Sequence, residues 1–192
     1  MSDEDAYEGQ VQALLEAGDL QGAVTAALRG YGPSIVCYLK VVLHDDDAAY
    51  EVFAQFGEDL WRGIGRFRGE CSFRIWAYRL ALYAARRHLR DVFRCRVRRL
   101  ETAEVSQIVA EIRTSTVGYQ PIAVKDRLAR IREQLTPGER TLLVLRVEQE
   151  FSWQEVAEVL SSSGRRLPEA IVRKRFERLR RKLRRLAREE GL

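Results

Sequence analysis

Residues 136–160 read TPGERTLLVLRVEQEFSWQEVAEVL, and two helix starts inside this stretch decide the fold. Thr136-Pro137-Gly138-Glu139 is a capping box. A hydroxyl at the N-cap accepts the N–H three residues on, the glutamate returns the bond, and proline sits where a missing N–H costs nothing. Ser152-Trp153-Gln154-Glu155 repeats the device, with Phe151 and Val156 spaced as a hydrophobic staple. Ser161-Ser162-Ser163-Gly164 then makes a turn, and Pro168 opens a last helix that runs to about Arg188. In that helix Val172, Phe176, Leu179, Leu183 and Leu186 recur at alternating steps of four and three and line one face. Lys174, Arg178, Arg181 and Arg185 fall on the other.

The same periodicity extends upstream, and no stretch shows the sustained alternation of a strand, so the expected fold class is all-α. A first helix covers about Tyr7 to Ala17, where Gly18 stops it, and Asp19 caps a second that reaches about Arg29. Gly32-Pro33 is read as the opening of a third, to about His44. Asp45-Asp46-Asp47 supplies N-cap candidates and negative charge for the next helix, which ends near Trp61 with Val52, Phe53, Phe56 and Leu60 on one side. Gly63, Gly65 and Gly69 mark a bend, and another helix starts near Ser72 or Phe73 and continues to about Arg90. From about Val97 to Val124 the pattern fades into Thr, Ser, Glu and Gln, with a helical turn or two around Val105 to Arg113. We read this segment as a flexible linker between two small helical domains, residues 1–96 and 125–192, because so long an unpatterned stretch does not suit one compact domain.

Charge is sorted along the chain. Residues 1–60 hold two basic and twelve acidic side chains, and residues 61–100 hold twelve basic and two acidic. Residues 101–134 are balanced at five each, and residues 135–192 carry fourteen basic against nine acidic. Arg-rich zones that coincide with helical motifs suit a phosphate backbone. The unit made of a capped helix, a turn and a basic helix with an apolar back has the pattern of a helix-turn-helix DNA reader. Its candidate base-reading residues are Arg173, Lys174, Glu177 and Arg178, near the start of the last helix, with Arg181 farther back toward the backbone.

The stretch from Phe67 to Ala81, FRGECSFRIWAYRLA, resembles the region-2 signature of the extracytoplasmic-function (ECF) sigma factors of bacterial RNA polymerase. Leu135, Pro137 and Arg140, followed by Ser152, Glu155, Val156 and Ala157, match that family's region-4 pattern in the same order. The resemblance implies a transcription-initiation factor with a region-2-like bundle and a region-4-like helix-turn-helix. Its partners would be core RNA polymerase and promoter DNA, and it leaves room for an anti-sigma protein. The basic helix of the first domain would hold the melted minus-ten element through Arg79, Tyr83, Arg86, Arg87 and Arg90, and the last helix would read the duplex minus-thirty-five element. Phe67, Phe73 and Trp76 are expected in the core. Polymerase docking is assigned to the face bearing Glu51, Gln55 and Asp59, spaced at i, i+4 and i+8.

This sequence departs from the family in places. Where the family shows an Asp-Ala-Glu-Asp-Leu-Val-Gln run, this chain has Ala48 to Ala54, keeping the acidic charge at Glu51. The family's frequent Asn and Asp fall at Tyr83 and Arg87, and the turn from Ser161 to Leu167 is longer by about five residues.

Other classes lack support in the residues. His44 and His88 are isolated, no Gly-rich phosphate loop appears, and Cys37, Cys71 and Cys95 are far apart, so no enzyme, cofactor, metal or small-molecule substrate is expected. The longest apolar run, Ile35 to Leu43, is short and broken by Lys40, and no signal-peptide pattern is read, so the expectation is a cytoplasmic protein without a membrane partner. The rival reading is a helix-turn-helix regulator that binds DNA without serving as a polymerase subunit.

Overall fold

The computed structural model describes residues 3–91, 131–161 and 166–190, and among them every regular element is helical. The chain separates into two compact units, the first ending at Val117 and the second beginning at Gly118. The expected linker at 97–124, the turns around Val105 to Arg113, and Cys95 lie outside the described residues.

The first unit contains α1 (Asp3–Glu16), α2 (Leu20–Leu43), α3 (Asp46–Gly63), a short 3-10 turn (Ile64–Arg66) and α4 (Phe73–Asp91). Helix α2 packs against α1, α3 and α4, and α4 also touches α3 and α1. The caps are local and chemical. Gly18, at φ +74°, ends α1 in the left-handed conformation that glycine adopts without a Cβ clash. The Asp19 carboxylate accepts the Gly22 N–H at 2.8 Å to start α2, and Asp45 accepts the Ala48 N–H at 3.0 Å to start α3. The core is built from α2 and its neighbours, with Tyr31, Tyr38, Tyr78, Phe53, Phe56 and Phe73 all essentially removed from water. Gly30 lets α1 approach, since a Cβ there would come within 2.5 Å of the Tyr7 ring.

Helix α1 starts four residues earlier than the sequence reading, at Asp3, and one division differs outright. The second and third helices are a single one, α2, with Pro33 inside it. Proline removes one hydrogen bond from a helix, but the apolar stripe continues through it as Leu28, Tyr31, Ile35, Leu39 and Val42, all buried. Pro33 itself is exposed, so the carbonyl one turn back that loses its donor lies on the side water can reach. Burial of the stripe therefore outweighs the local breaker.

The second unit contains α5 (Pro137–Leu143), which runs into one π-helical turn (Val144–Glu148), then α6 (Trp153–Leu160) and α7 (Glu169–Glu189). Both capping boxes form. Thr136 Oγ1 accepts the Glu139 N–H while Glu139 returns to the Thr136 N–H at 2.8 Å, and the Ser152 N–H donates to Glu155 at 2.7 Å. Helix α7 packs on α6 and α5 through Val172, Leu179 and Leu186, with Phe176 and Leu183 half-buried on the same side.

Candidate nucleic-acid interface

The basic helix of the first unit, α4, is started by a device absent from its own neighbourhood. The first four N–H groups of a helix have no intrahelical partner. Here the Glu8 carboxylate, on α1, accepts the N–H of Phe73 at 2.5 Å and of Arg74 at 3.1 Å. Ser72 Oγ accepts the Ile75 N–H at 3.2 Å, and the Trp76 N–H donates to the Ser72 carbonyl at 3.1 Å. The Tyr31 hydroxyl donates to the same Glu8 carboxylate at 2.8 Å, so one side chain ties α1, α2 and α4 together. The negative charge also suits the positive end of the helix dipole.

Before that start, Gly69 turns the chain at φ +69°, and the aromatics around it pack on one another. Phe67, Phe73 and Trp76 form a cluster with ring centroids 5.2–5.3 Å apart, and Phe73 also stacks on Tyr31. Phe73 is in the core as expected, whereas Phe67 and Trp76 are half-buried and pack over it, and the edge-to-face contacts that Phe73 makes with both fix the beginning of α4.

Farther along α4, helical geometry at 100° per residue places Arg79, Tyr83, Arg86, Arg87 and Arg90 within an arc of about 100°. The arc lies opposite the buried Tyr78, Ala81 and Ala85. Arg86 and Arg90 are exposed, whereas Arg79, Tyr83 and Arg87 are half-buried. Arg87, at the edge of the arc, bonds Asp59 of α3 through Nη2 at 2.9 Å, and Gln55 Nε2 donates to the other Asp59 oxygen at 3.2 Å. The structure thus joins a residue assigned to DNA with two assigned to polymerase. Glu51 stands apart from that network and is exposed. One turn before Arg62, Glu58 is buried with one carboxylate oxygen 3.6 Å from the Arg62 guanidinium and the other meeting no hydrogen-bond donor among the described residues.

In the second unit the motif arginine, Arg140, points inward. It is only 9% exposed and donates from Nε to the Arg132 carbonyl at 2.9 Å and from Nη2 to the Glu133 carbonyl at 3.2 Å. A guanidinium is well made for this, because its planar fork serves two carbonyls left over at a chain turn. Burial draws its pKa below the ordinary arginine value, with the Glu133 charge opposing. Arg146 donates to the Phe151 carbonyl at 2.9 Å and lies over the Trp153 ring at 4.7 Å, fixing the bend between α5 and α6.

Trp153 connects this bend to the basic helix. Its ring meets Phe176 edge-on at 5.2 Å, and the Arg173 guanidinium lies 5.6 Å from it while bonding Glu169. Glu177 pairs with Arg180 at 2.9 Å. Lys174, Arg178 and Arg181 are exposed and make no hydrogen bond or ion pair among the described residues. The five candidate residues of α7 thus share one face, but Arg173 and Glu177 already have intramolecular partners.

The lengthened turn before α7 is held at its ends. Ser161 Oγ donates to the Ala157 carbonyl at 2.7 Å and accepts the Leu167 N–H at 2.9 Å. Residues 162–165 of that turn lie outside the described residues. Sequence reading missed Glu8, the Ser161 bridge from Ala157 to Leu167 and the Asp59–Arg87 pair. Glu8 is one acid among several in an acidic segment, and nothing local distinguishes it.

Among the described residues no group of His, Cys, Asp and Glu could hold a metal ion, and no helix is long and apolar enough to cross a membrane. No family model matches the chain. Over 182 residues it is 27% identical to a protein of Pseudomonas aeruginosa described as RNA polymerase sigma-H factor, the match covering 89% of each chain. Coverage on that scale takes in both units, so the likeness to a sigma factor is not confined to one of them.

Proposed function

We propose that this chain is a transcription-initiation factor of the ECF sigma type, which binds core RNA polymerase in the cytoplasm and leads it to promoters. The observation that carries the reading is the likeness to a sigma factor along both units. The geometry supplies a division of labour that suits it. The arc of Arg79, Tyr83, Arg86, Arg87 and Arg90 on α4 combines an aromatic face with cations, the means by which unpaired bases are stacked and their phosphates held. This helix takes the melted minus-ten strand. The face of α7 that bears Lys174, Arg178 and Arg181, flanked by Arg173 and Glu177, has the width and charge to enter a major groove. With α6 it forms the helix-turn-helix that reads the duplex minus-thirty-five element. Docking on polymerase falls to the acidic outer face of α3, where Glu51 is an exposed charge. In this reading the factor has no catalysis of its own, and RNA synthesis belongs to the polymerase.

The test is reconstitution. The purified chain is mixed with core polymerase and a promoter library, and the transcripts are mapped. Initiation from a defined subset supports the reading. DNA binding with no initiation assigns the chain to the helix-turn-helix regulators instead.

A further inference from the structure

We propose that Asp59 is a positioning residue for Arg87: it sets the guanidinium at the edge of the α4 cation arc and makes no contact with polymerase itself. The inference deepens the sigma-factor reading and rests on it. Three observations carry it. Both oxygens of Asp59 are already used within the chain, one by Gln55 at 3.2 Å and one by Arg87 at 2.9 Å. The Asp59 side chain is 25% exposed and the Arg87 side chain 40%, so the carboxylate is the more sheltered partner and the guanidinium the more available one. Finally, Arg87 engages the carboxylate through Nη2 alone, and among the described residues the rest of its five-donor fork makes no hydrogen bond and can meet a phosphate or a base edge.

The physical effect has two opposed parts. A long arginine sampling many rotamers binds a strand in many poses, and a carboxylate that fixes it selects one. The same carboxylate also cancels part of the attraction that Arg87 exerts on any phosphate. Removing the charge at Asp59 should therefore loosen discrimination while raising indiscriminate attraction. A residue that only supports the fold would lower both.

The experiment uses the full chain bound to core polymerase, with Asp59→Asn, Arg87→Ala and the double variant. Each is also combined with Arg86→Ala as the control background. Open-complex formation is measured on a duplex promoter and on a template mismatched across the minus-ten element, and core affinity by quantitative pull-down. Asp59→Asn should slow opening of the duplex about two- to fivefold, the range of a partly exposed ion pair. It should leave core affinity unchanged and raise binding to a non-promoter single strand. The defect should vanish when Arg87 is alanine and persist when Arg86 is alanine. Additive defects in the Arg87→Ala background, or a loss of core affinity, would overturn the inference and return Asp59 to structure or docking. A wild-type chain that neither binds core nor initiates sinks the underlying reading, and the inference with it.

Discussion

Helix α4 buries eight of its 19 residues and has its first turn capped from another helix, whereas α7 buries three of 21 and starts at Pro168 with no side-chain cap. Both are arginine-rich, yet they carry that charge differently. In α4 the fold reaches the cations, as Asp59 does at Arg87. In α7 the fold reaches only the flanks, through Trp153 under Arg173 and Glu139 at Lys182, and Lys174, Arg178 and Arg181 are exposed without partners among the described residues. A surface whose charges are held by neighbours has a shape before any ligand arrives and suits an irregular, opened strand. A row of exposed cations on a rigid helix suits a regular duplex, whose backbone and groove repeat with the helix.

The difference can be broken most directly at Glu8. If α4 owes its placement to a carboxylate from α1, Glu8→Ala should destabilise the first unit by about 1.5–3 kcal/mol, the worth of hydrogen bonds to a charged group. Hydrogen exchange should lose protection at the amides of Phe73 and Arg74, while amides of α6 and α7 keep theirs. Unchanged exchange at Phe73 would mean that the bond to Glu8 does not protect that amide, and with unchanged stability as well α4 would be as self-contained as α7.

What the sequence made legible follows the same line. Signals that act over three or four residues are legible: the Thr136 and Ser152 capping boxes, Asp19, Asp45, and the Val172 to Leu186 stripe all appear where expected. Pro33 misled because its local effect is fixed, whereas the apolar stripe that overrides it is a property of the whole of α2 packed against three helices. Glu8 to Phe73 spans 65 residues and Asp59 to Arg87 spans 28, and at such separations the residue type gives no hint of the partner. Of the candidate site, the faces of α4 and α7 could be drawn from helical periodicity. Which cations on them were already engaged could not, because that depends on packing between elements.

A second test sharpens the comparison at α7. Arg178 stands nearer the start of the helix than Arg181, and both are exposed without intramolecular partners among the described residues. A recognition helix enters the groove by its N-terminal part, so Arg178 should meet base edges and Arg181 the backbone. An arginine paired with guanine contributes roughly 1–3 kcal/mol of discrimination, whereas a phosphate contact serves every sequence alike and adds about one to the salt slope. Selection on randomised minus-thirty-five duplexes by the polymerase complex should give Arg178→Ala a changed preference. Arg181→Ala should keep the wild-type preference with weaker, less salt-dependent binding. If Arg178→Ala returns the wild-type preference, the helix is presented at another rotation, and the Ser161 bridge to Leu167 becomes the place to look.

The smallest expected effect concerns how α7 is moored. Lys182 of α7 bonds Glu139 at 2.8 Å, and Glu139 is also the returning half of the Thr136 capping box. Partial burial raises the Glu139 pKa, but the bonds from Lys182 and Thr136 outweigh it and leave the carboxyl below the ordinary glutamate value of 4.5. A carboxyl whose folded-state pKa is depressed binds its proton more readily when unfolded. Its contribution is therefore fully present above the unfolded-state value, and it is lost as pH falls from there through the lower folded-state value. With both side chains more than a quarter exposed, solvent screening keeps the contribution below about 1 kcal/mol. Trp153 lies in this unit, so its fluorescence can follow the thermal unfolding of the second unit once Trp61 and Trp76 are replaced by phenylalanine. Between neutral pH and pH about 4, the stability difference between this chain and its Glu139→Gln variant should shrink as the solution becomes more acid. A difference that stays constant over that range would show that Glu139 acts through packing rather than through its charge, and that α7 is held by its apolar stripe alone.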